Sequence, residues 1–421
     1  MSRVVDAISP PRLGGVYRRL LLSSWTTNLG DGIAHAAGPL LVASQTDEPL
    51  LVAMAALLQR LPWLLFGLYA GVVADRHDRR RIVVVANLAR AAVLALLVGC
   101  VALDVLSVAV VLVSVFLIGL AEVFADTTAG TLMPMIVESS DLGLANSRLQ
   151  AGHVVVNQLA GPPVGAFLFA AGIAWPLAAQ VVCFAAGALV LAKVSLAVPV
   201  REPGERQARR EIADGLRWLW RHGAVRTLTL TVVCFNVTFG AAWSVLVLVA
   251  TERLGMGEIG FGILTTMSAL GALLGAGAYR WITERVSLAN VMRAGLVIET
   301  GTHLALATTR SPLVAMPVLF LFGVHEAAWG TTAVTIRQRA VPDELQGRVN
   351  AAYLLGVFGG LVIGAALGGL LASIWGVTAP FWFAFAGSGL LLVLIWRTLE
   401  HISHAGERGP ATDEGPAAAA E

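Results

Sequence analysis

Charge is what this 421-residue sequence has least of: 13% of its residues are charged and 57% are hydrophobic. A soluble chain carries about a quarter charged residues, so water is not the main solvent of this one. Lysine is almost missing, with Lys193 alone among many arginines. Cysteine is scarce: Cys100, Cys183 and Cys234 lie far apart in apolar runs with no CxxC and no metal-ligand spacing. They read as small buried hydrophobes rather than metal ligands. No HExxH or GxSxG occurs, and the one lysine lies outside any GxxxxGK(S/T) pattern. Metalloprotease, serine hydrolase and Walker-type ATPase chemistry therefore lack their residues. Residues 1–19 hold Pro10, Pro11 and several arginines but no apolar core, which argues against a cleavable signal peptide.

What the sequence does have is apolar length. A bilayer crossing needs about 20 mostly apolar residues, and twelve such runs occur. They fall near 20–44, 50–74, 82–103, 105–126, 149–171 and 174–196, then near 226–251, 258–279, 288–308, 313–334, 349–372 and 377–396. The expected fold class is all-α integral membrane, with twelve transmembrane helices in two six-helix halves. The expected organisation is an N-terminal segment at 1–19, halves at 20–196 and 226–396, a central loop at 197–225 and a disordered tail at 397–421. Within the central loop, Ile212, Leu216, Leu219 and Trp220 at helical spacing suggest an amphipathic helix. Arginine clusters fall in the 2–3 loop, the central loop and the 10–11 segment, all on one side. Positive charge stays in cytoplasmic loops, so both termini are expected in the cytoplasm.

Shifting the chain by 204 positions aligns Phe116–Glu122 with Phe320–Glu326. In the same register Thr127, Thr128 and Ala129 meet Thr331, Thr332 and Ala333. Gly67, Gly71, Gly143, Asn146, Gly165, Gly172 and Pro176 meet Gly271, Gly275, Gly347, Asn350, Gly369, Gly376 and Pro380. A constant register that keeps Glu, Asn, Thr and Pro indicates duplicated halves. Two halves in the same orientation are the parallel-repeat plan of secondary transporters with a central site.

The run Gly71-Val-Val-Ala-Asp75-Arg76-His-Asp78-Arg79-Arg80 resembles the loop 2–3 signature of the major facilitator superfamily. That resemblance implies a cytoplasmic gate in which Gly71 permits close packing and Asp75, Arg76, Arg79 and Arg80 make charged contacts. Asp78 stands where the family has glycine, and Tyr279 replaces aspartate at the matching second-half position. Gly161-Pro162-Pro163-Val164-Gly165 resembles the antiporter signature of exporter families, with Asn157 and Ala166 replacing its outer glycines. Proline removes a backbone donor and glycine admits a neighbour, which together make a hinge. Asn28-Leu-Gly-Asp31-Gly, Leu61-Pro-Trp-Leu-Leu-Phe-Gly and Val341-Pro-Asp-Glu-Leu-Gln-Gly-Arg-Val-Asn350 are similar to the macrolide-efflux and siderophore-exporter branch. The resemblance implies the major facilitator fold and export driven by the proton gradient.

Ionisable groups at membrane depth are costly and are functional candidates. Asp31 and Arg60 lie about midway along helices 1 and 2, so Asp31 is expected either to pair with Arg60 or to carry the coupled proton. In the family fold helices 1, 4, 7 and 10 border the cavity, which adds Glu122, His325 and Glu326. Asp126, a turn beyond Glu122, is assigned to gate pairing with Arg90 or the loop arginines. Glu299 and His303 are four apart on helix 9, which is peripheral in the family fold, and read as a local structural pair in preference to a proton relay; His153 reads as an interfacial histidine.

The function these readings imply is secondary active export of a small lipophilic or amphipathic compound by proton antiport. No catalytic residues, metal or cofactor are expected. The expected partners are the lipophilic substrate, protons and membrane lipid, with no nucleic acid and a monomer as the unit. Import of a small solute, or a non-transporting receptor on the same fold, stays open at this point.

Overall fold

Helix ends fall where the sequence supplies caps and breakers, and among the described residues they set apart twelve helices at the places of the twelve expected spans. In the computed structural model, which describes residues 11–194, 205–342 and 345–403, α1 runs Gly14–Ala43, α2 Pro49–Arg76, α3 Arg79–Ala102 and α4 Val108–Ala129. α5 runs Leu142–Ala171 through a π-helical stretch at His153–Ala160, and α6 runs Ala174–Ala192. The second half holds α7 at Gly223–Trp243, α8 at Glu258–Thr283, α9 at Leu288–Thr308, α10 at Pro312–Ala340, α11 at Gln346–Trp375 and α12 at Ala379–Ile395.

Pro49 opens α2 and Pro312 opens α10, where a missing N–H is harmless. Ser107, Ser287 and Asp78 cap α4, α9 and α3 by accepting backbone N–H bonds. α5 and α11 both end on glycine at positive φ, Gly172 at 148° and Gly376 at 88°, a conformation that favours glycine. These two are partners under the 204-residue shift, so the repeat preserves a backbone requirement.

Nine of these helices are long and apolar enough to cross a membrane by length and composition. α12 has 17 residues. α1 and α9 are interrupted by polar side chains, among them Asp31, His35, Glu299 and His303.

The packing repeats as the sequence does. α1 packs on α5 and α6, α3 on α4 and α6, and α2 on α4; six helices later, α7 packs on α11 and α12, α9 on α10 and α12, and α8 on α10. The halves meet along two related seams, α2 with α11 and α5 with α8. The largest buried cluster joins both halves at the face opposite the arginine-rich loops, through Leu40, Leu41, Val52, Val245, Leu246 and Phe261. At the arginine-rich face it splits. One cluster there holds only first-half residues such as Tyr17 and Leu132, another only second-half residues such as Met292 and Ile336. The molecule is therefore closed at the far face and parted at the arginine-rich one.

The connector forms a helix at Glu205–Arg221. Leu219 is buried against Val225, Val341 and Val349 of the second half, while Leu216 and Trp220 stay exposed; the side chain of Ile212 lies outside the described residues. Thr398–Ser403 is also helical, with Leu399 and Ile402 buried, so order runs past residue 397; residues 404–421 lie outside the described ones.

Candidate functional site

α1 places Asn28, Asp31 and His35 three and four residues apart, on one face. That face is held on two sides. His153 Nδ1 lies 3.1 Å from Asn28 Oδ1, and His35 Nε2 lies 3.1 Å from Asn157 Oδ1, both across to α5. Glycines let the two helices come this close: a methyl group on Gly32 would sit 2.5 Å from the Asn157 carbonyl oxygen, and one on Gly165 would collide with the Ile33 carbonyl. His153 is thus a link between helices rather than an interfacial residue.

On the other side Asp31 accepts from Arg90 of α3. This corrects the expected Asp31–Arg60 pair. Depth along two helices cannot reveal which neighbour a side chain faces; α1 packs mainly on α5 and α6, and α3 packs on α6 and α4, from where Arg90 reaches Asp31. Arg90 is 2% exposed, and it also lies 3.7 Å from Glu122 of α4 and 3.9 Å over the Phe184 ring. One buried guanidinium thus serves two carboxylates, each about a fifth exposed. Arg90 belongs to this cluster at mid-membrane and not to the gate loop.

The cluster borders a cavity of about 830 Å3 inside the first half, which runs from Leu20, Leu132 and Leu191 at the arginine-rich end to His35 and Arg60. Asp126 lines the same cavity and makes no ion pair with a described residue, so the expected gate pairing is not made in this conformation. A second, more apolar chamber of about 280 Å3 lies between the halves and includes Gly38, Pro39, Trp243 and Phe261. His35 and Arg60 line both.

The loop 2–3 residues stitch one half together. Asp75 pairs with Arg79 at 3.1 Å, one turn on. Arg79 also donates to the Ala74 carbonyl at 3.2 Å, and Arg80 to the Ala192 and Val194 carbonyls at 3.3 and 2.8 Å, a cation at the C-terminus of α6. Arg76 lies in the last turn of α2. Asp78 sits at φ −60° and caps α3, so the turn needs no glycine there. Gly71 has open space around it, whereas Gly275, its second-half partner, abuts the Val324 backbone; close packing at Gly71 is not what the structure has. Tyr279 bonds Thr332 at 3.2 Å instead of an arginine.

The hinge residues make the second contact between halves as well as the α1 seam. Gly161 meets Gly32, and a methyl on Gly262 of α8 would lie 3.3 Å from the Pro162 carbonyl. Pro162 and Pro163 lack the N–H groups that would bond one turn back, and the π-helical stretch ends at Ala160, one residue before them.

In the second half Glu299 accepts from two histidines, His303 at 2.8 Å and His325 at 3.1 Å, all sealed from solvent. The expected Glu299–His303 pair is present. His325, expected in the cavity, is buried in this cluster among Phe235 and Phe322 instead. Glu326 is exposed, makes no bond to a described residue and lines neither cavity. His35 went unflagged in the sequence, although a histidine one turn from Asp31 inside an apolar span carried the same signal as the others.

A buried ionic cluster beside a cavity in a twelve-helix, two-half bundle defines a membrane transporter. The family model described as transmembrane secretion effector matches residues 7–409; the chain belongs to that family of the major facilitator superfamily. Multidrug efflux pump Tap of Mycolicibacterium fortuitum is 28% identical, covering 86% of this chain and 90% of the relative. Macrolide efflux protein A of Streptococcus pyogenes is 25% identical over 84% and 88% of the two chains, and enterobactin exporter EntS of Escherichia coli O1:K1 / APEC 26% over 90% and 89%. The fold is shared with nucleoside transporter NupG, at TM-score 0.72, 11% identity and coverage of 92% and 99%. It is shared also with a bacterial ferroportin homologue in its inward-facing state, at TM-score 0.71, 17% identity and coverage of 92% and 98%.

Proposed function

We propose that this chain exports a small lipophilic or amphipathic compound across the bacterial cytoplasmic membrane by proton antiport, with Asp31, Glu122 and Asp126 around Arg90 as the coupling site. The chain is a secondary transporter that exports small compounds; its family and its relatives named as efflux pumps and exporters support that direction. The arginine bias of the loops supports a cytoplasmic arginine-rich face, with both termini inside. The described conformation is then open inward.

The observation that carries the coupling is one buried cation shared by two carboxylates at the wall of a polar cavity. A proton taken by Asp31 removes its charged contact and leaves Arg90 to Glu122. Each protonation state thus fixes a different link between α1, α3 and α4. A transporter converts such a difference into a bias between inward- and outward-facing forms.

Proteoliposomes with an imposed pH gradient test this. Wild-type protein should move a lipophilic efflux substrate uphill toward the side facing away from the arginine-rich loops. Asp31→Asn should lose at least tenfold of that uphill flux and keep downhill exchange. Its folded yield should survive, because Glu122 still neutralises Arg90. Unaltered gradient-driven flux in Asp31→Asn would remove Asp31 from the coupling site, and net uptake by the wild type would overturn export.

A further inference from the structure

Among the described residues, no carboxylate lines the chamber between the halves, and apart from His35 the one ionisable lining residue is Arg60. The rest of the wall is aliphatic or aromatic, with Phe239, Trp243 and Phe261 from the second half, and a few neutral hydrogen-bonding groups such as Gln59 and Ser244.

Arg60 is exposed within this space and makes no hydrogen bond or ion pair with a described residue. Of the nearby acids, Glu122 feels Arg60 only from beyond ion-pair distance, Arg90 holds Asp31 and Glu122 more closely, and Asp126 lies a further turn toward the arginine-rich face. An arginine at membrane depth whose guanidinium faces a cavity without a direct ion-pair partner is costly to keep and is available to a ligand. Its planar fork of donors matches an oxyanion better than any other ligand group.

From this we infer that the transported compound is a lipophilic acid, an aromatic or aliphatic body carrying one oxyanion such as a carboxylate or sulfonate, with the oxyanion on Arg60 and the body against Phe239 and Trp243. This inference rests on the export reading and names the substrate class of that site. Phe239 stacks at 4.4 Å centroid separation on Trp243 and at 5.9 Å on the buried Phe322, a fixed aromatic column whose lining rings suit edge-to-face contact with an aromatic body. The position of Arg60 also suits coupling. It lines both cavities, so an anion in the chamber changes the charge facing the Asp31 cluster.

Three ligands of nearly one shape separate the alternatives: 2-naphthylacetate, its methyl ester, and the (naphthylmethyl)trimethylammonium cation, measured by equilibrium dialysis against purified full-length protein with empty micelles as control. A bicyclic probe is chosen because a chamber of about 280 Å3 lies at the small end of ligand pockets, roughly 300–1,000 Å3. The acid should bind at least tenfold more tightly than the ester and the cation. Arg60→Gln should erase that preference while leaving ester binding unchanged, and Arg60→Lys should keep part of it. Equal or tighter binding of the ester or the cation to the wild type overturns the inference with no variant needed, as does a preference that persists in Arg60→Gln. Gradient-driven export without acid preference sinks this inference alone, whereas acid-selective binding without any export sinks the export reading alone.

Discussion

Two ionic clusters include matching helix pairs, α3 with α4 (joined there by Asp31 of α1) and α9 with α10, and they differ in access to water. Asp31 and Glu122 are each about a fifth exposed to the first-half cavity. Glu299 and His303 have no exposure, and both histidine Nδ1 atoms lack partners. A group that exchanges a proton needs a route for it, so the open cluster suits coupling and the sealed one holds helices together. Glu299→Gln keeps the shape but gives up charge-assisted bonds, each worth about 1.5–3 kcal/mol. It should lower the thermal unfolding midpoint in detergent while leaving proton-to-substrate stoichiometry unchanged. A variant that unfolds normally but loses uphill transport would make Glu299 the coupling acid. The sequence flagged Asp31, Glu122 and Glu299 because any charge in an apolar span stands out. It could not choose between Arg60 and Arg90 for Asp31, since that depends on which helices adjoin α1.

Helices were legible in extent and partly in character. The span expected at 258–279 is observed as Glu258–Thr283, and that at 20–44 as Gly14–Ala43; charges, prolines and glycines end a helix through local chemistry. The π-helical stretch at His153–Ala160 was not legible as such, although Pro162 and Pro163 marked the place. Nor was the use of each motif glycine, because a missing Cβ says that contact is permitted, not that it occurs. Gly71 and Gly165 make the contrast measurable. Gly165→Ala should push α5 off the Ile33 carbonyl, costing about 1–3 kcal/mol as overpacking does and stretching the Asn28–His153 and His35–Asn157 bonds. Gly71→Ala meets nothing within 4 Å and should be neutral to stabilising by up to about 1 kcal/mol through helix propensity. Thermal unfolding of the two variants decides it, and equal losses would refute the packing account.

For the whole molecule, the 204-residue repeat anticipated the arrangement: the seams α2 with α11 and α5 with α8 exchange under the operation that relates the halves. Both close the far face at small residues, where Gly369 approaches Ala53 and Gly262 approaches Ala166. Rocking one half on the other must open these seams to release substrate on that side. A cross-link there should hold the protein in the described state. A methyl on Gly369 would lie 2.7 Å from the Ala53 Cβ, and a disulfide needs about 3.5–4.5 Å between Cβ atoms, so a shift of about 1 Å admits one. Ala53→Cys with Gly369→Cys, in a background with Cys100, Cys183 and Cys234 changed to serine, should form the bond on oxidation. Uphill export should fall to the leak rate and return on reduction, and binding from the arginine-rich side should persist throughout. If the fully cross-linked protein exports at the reduced protein's rate, the seam does not open during transport, and substrate leaves by a path that does not part the halves.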